Sequence, residues 1–273
     1  MLCYIFMALS AIGSVLLVWA TGMTGLQWLW AIPIAVGFYI LINPLYFCLL
    51  WISTIFLPKP NKPIKKPLPF TYFIIRITTD WILTLLRVKV TFKGMEKFPD
   101  EPFVLVSNHL SNFDPIAVLA KVKGRKIAFV SKGSNFKIPV AGVYVHNAGF
   151  LAIDRENAMS AMRTLKRASE LMVSEQMIMG IYPEGTRSKS GELLDFKEGA
   201  FLLAKRANAP IVVMTTKGTN LISKRAFFKK TRIELDVLEV IDKETVKEQS
   251  LTEICAHVRS TIADGLKETE PHA

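Results

Sequence analysis

The start of the chain lacks charge altogether: no lysine, arginine, aspartate or glutamate occurs before Lys59. Two apolar runs fill this stretch, from Leu2 to Ala20 and from Leu26 to Leu57, and a short break with two glycines separates them. A helix needs about 20 apolar residues to cross a hydrocarbon core of about 30 Å, so both runs are long enough. The sequence therefore predicts a membrane hairpin of two transmembrane helices in residues 1–58.

Other interpretations of this charge-free stretch fit less well. A cleaved signal peptide lacks its positive start here, and a second apolar run follows the first at once. A soluble hairpin rarely stays uncharged for so long, whereas a hairpin that enters one leaflet stays open as an alternative. The second run exceeds one span, so we expect a kink at Pro33 or at Asn43-Pro44. Trp28 and Trp30 lie where an interfacial aromatic belt is expected.

Several chemical features are also absent. The three cysteines are far apart, and no cluster of residues has metal-ligand spacing, so we expect no metal and no need for an oxidising compartment. No serine or cysteine has the glycine-flanked setting of a nucleophile elbow, which disfavours covalent catalysis. Internal repeats and low-complexity tracts are missing too.

The charged residues that are present are mainly basic. The formal net charge is +11, which implies an anionic partner: nucleic acid, an anionic membrane surface or a phosphate-bearing substrate. No recognised nucleic-acid motif accompanies the charge, so nucleic acid is not expected. A basic Pro/Lys linker, residues 59–69, marks the cytoplasmic side and could bind anionic head groups. Residues from 67 onward are therefore predicted to lie in the cytoplasm.

The rest of the chain, residues 70–273, has the pattern of an α/β domain. Residues 70–86 read as an amphipathic helix that lies on the membrane or packs against the domain. Short apolar runs then alternate with helical patterns, which favours helices covering a sheet. We predict strands at 88–92, 103–106, 127–130, 150–153, 178–182, 211–215 and 232–240, and helices at 115–122, 158–174, 200–207 and 251–266. The strand at 103–106 is apolar throughout and is expected at the centre of the sheet.

The main candidate site is His109 with Asp114, just after this central strand. An imidazole can accept a proton near neutral pH when a carboxylate orients its other nitrogen. Positions five apart diverge on a helix, so the two side chains are expected to meet across a turn. The alternatives are an ordinary turn histidine and a capping aspartate before Pro115, and capping is compatible with catalysis. The other three histidines have no comparable acidic neighbour in the sequence.

A second candidate follows another apolar run: Glu184-Gly185-Thr186-Arg187-Ser188 resembles an anion-binding turn. With Asn108-His109 and Asp114, it gives the chain a resemblance to the glycerolipid acyltransferases, and more narrowly to the 1-acyl-glycerol-3-phosphate acyltransferases of the PlsC family. Further blocks of that family occur in order over roughly residues 70–242, namely Lys132, Pro139–Gly142, Gly149–Arg155, Phe196–Ala200 and Pro210–Val213. The N-terminal hairpin is a departure from the usual family pattern.

The resemblance implies an acyltransferase domain with a mixed central sheet flanked by helices. It implies transfer of an acyl group from acyl-CoA or acyl-carrier protein to the sn-2 hydroxyl of lysophosphatidic acid, with no cofactor besides this co-substrate. His109 would be the base and Asp114 its orienting acid. Lys132, Arg155 and Arg187 would bind the phosphate, and Glu184 would order the turn or contact the glycerol. Backbone N–H groups near Gly185 would face the oxyanion, and Thr186 is a further substrate-binding residue of this turn.

Two rival functions remain on the sequence. The first is acylation of another lysolipid, because the motif reports the chemistry more firmly than the acceptor. The second is a non-catalytic membrane protein that tethers anionic lipids, which explains the charge and the hairpin but not the ordered blocks. Membrane lipids are expected partners in every case.

Overall fold

A computed structural model describes residues 2–62, 64–188 and 190–267. Its seven-stranded mixed sheet, with helices on both faces, confirms the predicted fold class. The strands are β1 Val88–Lys93, β2 Val104–Ser107, β3 Lys126–Lys132, β4 Leu151–Ile153, β5 Met177–Ile181, β6 Ile211–Lys217 and β7 Thr231–Ile241. The helices are α1 Leu2–Ala20, α2 Ala31–Ser53, α3 Pro69–Leu85, α4 Phe113–Lys121, α5 Ala141–Asn147, α6 Ala158–Glu175, α7 Leu202–Ala207, α8 Ile222–Arg225, α9 Lys243–Glu248 and α10 Leu251–Lys267.

The sheet has the strand order β1-β7-β6-β2-β5-β3-β4. Strands β6, β2, β5, β3 and β4 pair in parallel, whereas β7 runs antiparallel to β6 and pairs in parallel with β1. All residues of β2 and β5 are buried, as expected for strands covered by helices on both faces. The prediction that β2 is central is therefore confirmed, and all seven predicted strands occur within a few residues of their expected bounds.

The two apolar runs form the long helices α1 and α2, joined by a break and a 3-10 turn, Gly25–Trp30. Both segments are long and apolar enough to cross a membrane. The helices pack closely, since the Phe38 ring lies against Gly13, where a Cβ would be 3.3 Å from the ring. Helix α2 continues through Pro44, and the Asn43 side chain donates a hydrogen bond to the Tyr39 carbonyl one turn earlier.

Helix α3 connects this hairpin with the domain. One side of it packs against α4, α5 and β1, which is the packing alternative for the predicted amphipathic helix. Its last turns contact the hairpin: Trp81 is buried in a cluster with Leu2 and Phe6 of α1 and with Tyr46 of α2. Helix α3 thus buries its apolar side chains against both the α/β domain and the hairpin.

Helix α5 was not predicted, and it fixes the basic linker to the domain. The Asn147 side chain donates to the Pro58 carbonyl over 2.8 Å, and Leu68 N–H donates to the Asn147 carbonyl over 2.8 Å. His146 Nε2 lies 2.9 Å from the Lys62 carbonyl. The carbonyl can only accept, so Nε2 donates this hydrogen bond, and burial lowers the pKa of His146.

Candidate active site

The carboxyl ends of the parallel strands meet at one edge of the sheet, where ligand sites of α/β folds collect. Each of these strands delivers one part of the candidate site. His109 and Asp114 follow β2, Lys132 ends β3, Arg155 follows β4, and Glu184, Gly185, Thr186 and Arg187 follow β5. The structure therefore brings the eight residues predicted from the sequence to the same edge.

His109 and Asp114 are in direct contact. Nδ1 of His109 lies 2.7 Å from Oδ2 of Asp114, as the predicted turn requires. The same oxygen accepts the N–H groups of Leu110 and Ser111 over 2.8 and 2.9 Å. An oxygen with these donors is an unprotonated acceptor, so Nδ1 carries the imidazole proton. Nε2 of His109 is then a free base, and the ring lines the main cavity.

The expected capping role of Asp114 is wrong. Helix α4 begins at Phe113, two residues before the predicted start, and Asn112 is its N-cap residue. Asp114 therefore lies inside the first turn, and its carboxylate points back to the N–H groups of the residues that precede the helix. Asp114 is fully buried, so this network replaces all of its hydration.

Thr219, which was not predicted from the sequence, supplies a further hydrogen bond to the Asp114 carboxylate. The Thr219 hydroxyl donates to Oδ1 of Asp114, and both side chains are fully buried. Thr219 follows β6, and it is held in place by Gly218 at φ 82°, where a Cβ would lie 2.5 Å from the Arg232 carbonyl oxygen. Only the position after a buried strand hints at this role, because the contact joins residues 105 positions apart.

Asn108 anchors the base from the other side. Its side chain exchanges two hydrogen bonds with the backbone of Thr216 in β6, over 2.8 and 2.9 Å. The Ser107 and Thr216 hydroxyls also lie 3.0 Å apart. Because Asn108 is buried and paired with backbone, it fixes the point at which the chain leaves β2 and turns into the site.

Aromatic rings support the face of the imidazole. The Tyr182 ring stacks on His109 at 4.2 Å between centroids, and the Phe129 ring stacks on Tyr182 at 5.6 Å. Burial and the nearby Asp114 charge raise the pKa of Tyr182 well above its ordinary value. Its buried hydroxyl has no hydrogen-bond partner within the described ranges, and Tyr182 lines the same cavity as His109.

Glu184 ties the two motifs together. Oε1 accepts the His109 N–H over 2.6 Å, and Oε2 accepts the Leu194 N–H over 3.1 Å. The Ser188 N–H in turn donates to the His109 carbonyl over 2.8 Å. Burial raises the pKa of Glu184 above its ordinary value, although the two backbone bonds oppose this. Glu184 is buried and does not line the cavity.

The turn after Glu184 presents its next three residues to the cavity. Gly185 adopts φ 70°, which glycine tolerates, and its N–H donates to the Tyr182 carbonyl. This N–H is therefore used inside the turn. The N–H groups of Thr186 and Arg187 have no protein partner among the described residues, so they are available to a ligand.

A cavity of about 880 Å³ opens beside His109, within the range of small-molecule sites. Its polar part holds the three predicted cations, Lys132, Arg155 and Arg187, whose side chains are exposed. Its apolar part is walled by α2, α3 and α4, through Phe47, Leu50, Ile74, Ile82 and Ile116. His109 lines the same cavity, so the cavity fits an amphiphilic ligand with an anionic head.

The remaining histidines have other roles. His257 does have an acidic partner, contrary to expectation: Nε2 lies 2.9 Å from Oε2 of Glu239, because β7 and α10 bring distant residues together at the surface. His146 holds the linker, and His272 lies outside the described residues. No group of histidine, cysteine or acidic residues that could hold a metal occurs among the residues described.

Comparisons with known proteins agree with this geometry. The model of the family described as Acyltransferase matches residues 89–217, a span that contains all eight predicted site residues. The match spans just under half of the chain, and the chain is an enzyme that transfers acyl groups.

The names of its relatives are more specific than the name of the family. The chain is 29% identical to 1-acyl-sn-glycerol-3-phosphate acyltransferase alpha of Bos taurus over 198 residues, which are 71% of this chain and 69% of that one. It is 30% identical to the Saccharomyces cerevisiae 1-acyl-sn-glycerol-3-phosphate acyltransferase over 67% of this chain and 62% of the other.

A solved structure shares the fold. The crystal structure of the 1-acyl-sn-glycerophosphate (LPA) acyltransferase PlsC from Thermotoga maritima aligns with a TM-score of 0.60 and 23% identity, covering 82% of this chain and 88% of the other. At this identity the likeness concerns the fold, including the mixed sheet that the sequence predicts.

Proposed function

We propose that the chain transfers an acyl group from a thioester to the sn-2 hydroxyl of 1-acyl-glycerol-3-phosphate, which gives phosphatidic acid. The observation that carries this proposal is the position of His109, in a cavity with three cations in one part and apolar helix faces in another. This arrangement fits a phosphorylated head, a reacting hydroxyl and an acyl chain. The names of the relatives support the choice of acceptor.

His109 is the general base of this proposal. Its Nε2 takes the proton of the acceptor hydroxyl while that oxygen attacks the thioester carbonyl. The imidazolium that forms is stabilised by Asp114, and it returns the proton to the sulfur when the C–S bond breaks. Such acid–base assistance contributes about 10²–10⁴ in rate. The acyl group goes directly from sulfur to oxygen, so no covalent acyl-enzyme is required.

The oxyanion of the tetrahedral intermediate needs preorganised donors. The N–H groups of Thr186 and Arg187 are the candidates, because they lie in the turn beside His109 and have no protein partner in the described part of the chain. Glu184 acts here as a positioning residue that holds this turn against the His109 backbone, rather than as a ligand of the acceptor glycerol.

The acceptor phosphate would bind to Lys132, Arg155 and Arg187. Arginine presents a planar fork that can bind phosphate through two hydrogen bonds, and lysine adds a point charge. The three cations come from the ends of three neighbouring strands, β3, β4 and β5. A phosphate held among them places the remainder of the lysolipid toward His109 and the apolar part of the cavity.

The N-terminal hairpin would keep the enzyme in the membrane where acceptor and product reside. Its two helices are long and apolar enough to span, and the linker that follows carries four lysines, at 59, 62, 65 and 66. Lysines beside a span favour the cytoplasmic side, so the acyltransferase domain is proposed to be cytoplasmic. Besides membrane lipids and lysophosphatidic acid, acyl-CoA or acyl-carrier protein is the expected partner, and no metal or other cofactor is needed.

A panel of acceptors tests this function. The purified chain is incubated with labelled acyl-CoA or acyl-carrier-protein thioester and with lysophosphatidic acid or lysolipids that have other head groups. We expect transfer to lysophosphatidic acid in preference to the others. Transfer to another lysolipid without transfer to lysophosphatidic acid would contradict the proposed acceptor and favour the alternative enzyme.

A further inference from the structure

Two aromatic side chains protrude from the domain with no packing role. Phe227 and Phe228 follow α8 and are 63% and 87% exposed. Most exposed large apolar residues of this chain belong to the hairpin, where a bilayer would cover them. An adjacent pair of exposed phenylalanines in the α/β domain indicates an interaction site separate from the hairpin.

The backbone at this point is held in an unfavourable conformation. Phe227 has φ 66°, a region that bulky residues rarely adopt, and Phe228 N–H donates to the Ala226 carbonyl over 2.9 Å in a three-residue turn. Strained residues of this kind cluster at binding sites. Here the turn aims both rings away from the domain instead of into its core.

The segment around the two rings is strongly basic. Lys224, Arg225, Lys229 and Lys230 flank the phenylalanines, and no acidic residue occurs from 217 to 230. All four cations are exposed, and none forms a salt bridge within the described part of the chain. We call residues 224–230 the Phe–Lys loop. Its chemistry combines rings suited to an apolar interface with charge suited to phosphates.

The Phe–Lys loop lies next to the base of the hairpin. The Arg87 guanidinium donates to the Phe228 carbonyl over 3.4 Å, and Thr231 N–H donates to the Arg87 carbonyl over 3.1 Å. Arg87 is two residues beyond the end of α3, hence within about 8 Å of Leu85. Leu85 packs against the cluster that joins α3 to the hairpin. The loop also follows β6, at the edge of the sheet that carries His109.

We propose that the Phe–Lys loop is a second membrane contact, in which Phe227 and Phe228 enter the interface of the bilayer and the four cations bind phosphates of anionic lipids. This inference rests on the proposed placement of the hairpin in the membrane. A bilayer interface accepts aromatic rings without a complementary groove, and basic residues near an anionic surface strengthen the contact. Together with the hairpin, the loop would hold the edge that bears the active site against the lipid surface.

A fluorescent probe at position 228 tests the contact in the full chain reconstituted into vesicles. Phe228→Cys is made with Cys48→Ser, and the new thiol is labelled with an environment-sensitive dye. Cys3 and Cys255 are buried, and the Cys48→Ser chain alone controls for labelling of these two. We expect quenching by spin-labelled lipids in vesicles that contain phosphatidylglycerol, and weaker quenching in pure phosphatidylcholine.

Two further probes separate the possible results. The wild-type chain labelled at the exposed Cys48 of α2 reports insertion of the hairpin, and Lys123→Cys with Cys48→Ser reports an exposed site before β3, at the opposite edge of the sheet. Quenching at 48 and 228 but not at 123 supports the proposal. Quenching at 48 alone overturns the second contact. A probe at 228 that is shielded by an added protein but not quenched by lipid overturns it as well. No quenching at 48 overturns the hairpin placement, and the loop contact with it.

The charge of the loop is tested separately. Lys229→Gln with Lys230→Gln, in the chain labelled at 228, is expected to lower the ratio of inserted to free probe about tenfold or more in anionic vesicles. Lys123→Gln with Lys247→Gln removes the same charge from exposed sites at the opposite edge of the sheet and should leave the ratio unchanged. Equal ratios in the two double variants would overturn the assignment to anionic lipid.

Discussion

Nδ1 of His109 lies 2.7 Å from Oδ2 of Asp114, and Oδ1 of the same carboxylate accepts the hydroxyl of Thr219. The carboxylate therefore has one oxygen turned to the imidazole and the other held by a side chain from a different strand. This arrangement fixes both the orientation and the tautomer of His109, which leaves Nε2 available to a substrate. Asp114 lies in α4 and Thr219 follows β6, so the position of the base depends on both a helix and the sheet.

Thr219→Val tests whether the hydrogen bond from Thr219 to the Asp114 carboxylate supports catalysis. The substitution keeps the shape but removes the donor to Oδ1 of Asp114, so that a buried charge loses one hydrogen bond. We expect kcat to fall about tenfold, in line with ~1.5 kcal/mol for a hydrogen bond to a charged group, with little change in KM. Steady-state kinetics measures this. Thr219→Ser should restore kcat, and full activity in the valine variant would contradict the role.

Gly180→Ala tests the aromatic support of the base. A Cβ at position 180 would lie 2.2 Å from the Phe129 ring, and that ring stacks on Tyr182, which stacks on His109. We expect a loss of about 1–3 kcal/mol in stability from overpacking, together with a lower kcat. Gly37→Ala is the matched control, because a Cβ there meets nothing within 4 Å. Equal melting temperatures and activities in the two variants would contradict the stack.

The raised pKa of Glu184 predicts how the stability of the protein changes with pH. Burial raises its pKa above 4.5, so the stabilisation it contributes is largest below the unfolded value and is lost as pH rises through the raised folded value. Glu184→Gln cannot titrate and leaves one backbone N–H poorly paired. We expect the variant to be less stable, with a difference from wild type that narrows as pH rises from 4 to 7. Melting temperatures in detergent measure this, and a difference that widens would show the wrong sign.

Arg187→Ala tests the phosphate site. Loss of a charge-assisted contact should raise KM for lysophosphatidic acid about tenfold to a hundredfold, and Arg187→Lys should fall between, because lysine lacks the planar fork. An exposed arginine of α6 outside the cavity, Arg163, gives the control Arg163→Ala. An equal effect on an acceptor without phosphate would argue against phosphate binding by Arg187.

The sequence predicted much of the fold because local patterns carry it. The apolar runs of β2 and β5 are too regular for surface segments, and all seven strands were found. Helices α5, α8 and α9 were missed, since they have only seven, four and six residues, and α5 is fixed by its contacts with the linker. The hairpin helices matched their apolar runs, because charge-free stretches of this length leave few alternatives.

The site was predictable only where its residues are close in sequence. His109 and Asp114 are five positions apart, and the turn between them is short enough to foresee. Thr219, Tyr182 and Asn108–Thr216 contribute through contacts between strands, which no spacing reveals. The capping role expected for Asp114 was wrong because the helix begins two residues earlier, and the partner of His257 was missed because Glu239 lies on another element.

The most direct measurement compares the wild-type chain with His109→Ala in acyl transfer from a thioester to lysophosphatidic acid. We expect wild type to form phosphatidic acid and the variant to lose about 10²–10⁴ of kcat, while its melting temperature stays close to that of wild type. A folded variant that forms phosphatidic acid at the wild-type rate would contradict the account, because the proton would then leave the hydroxyl without His109.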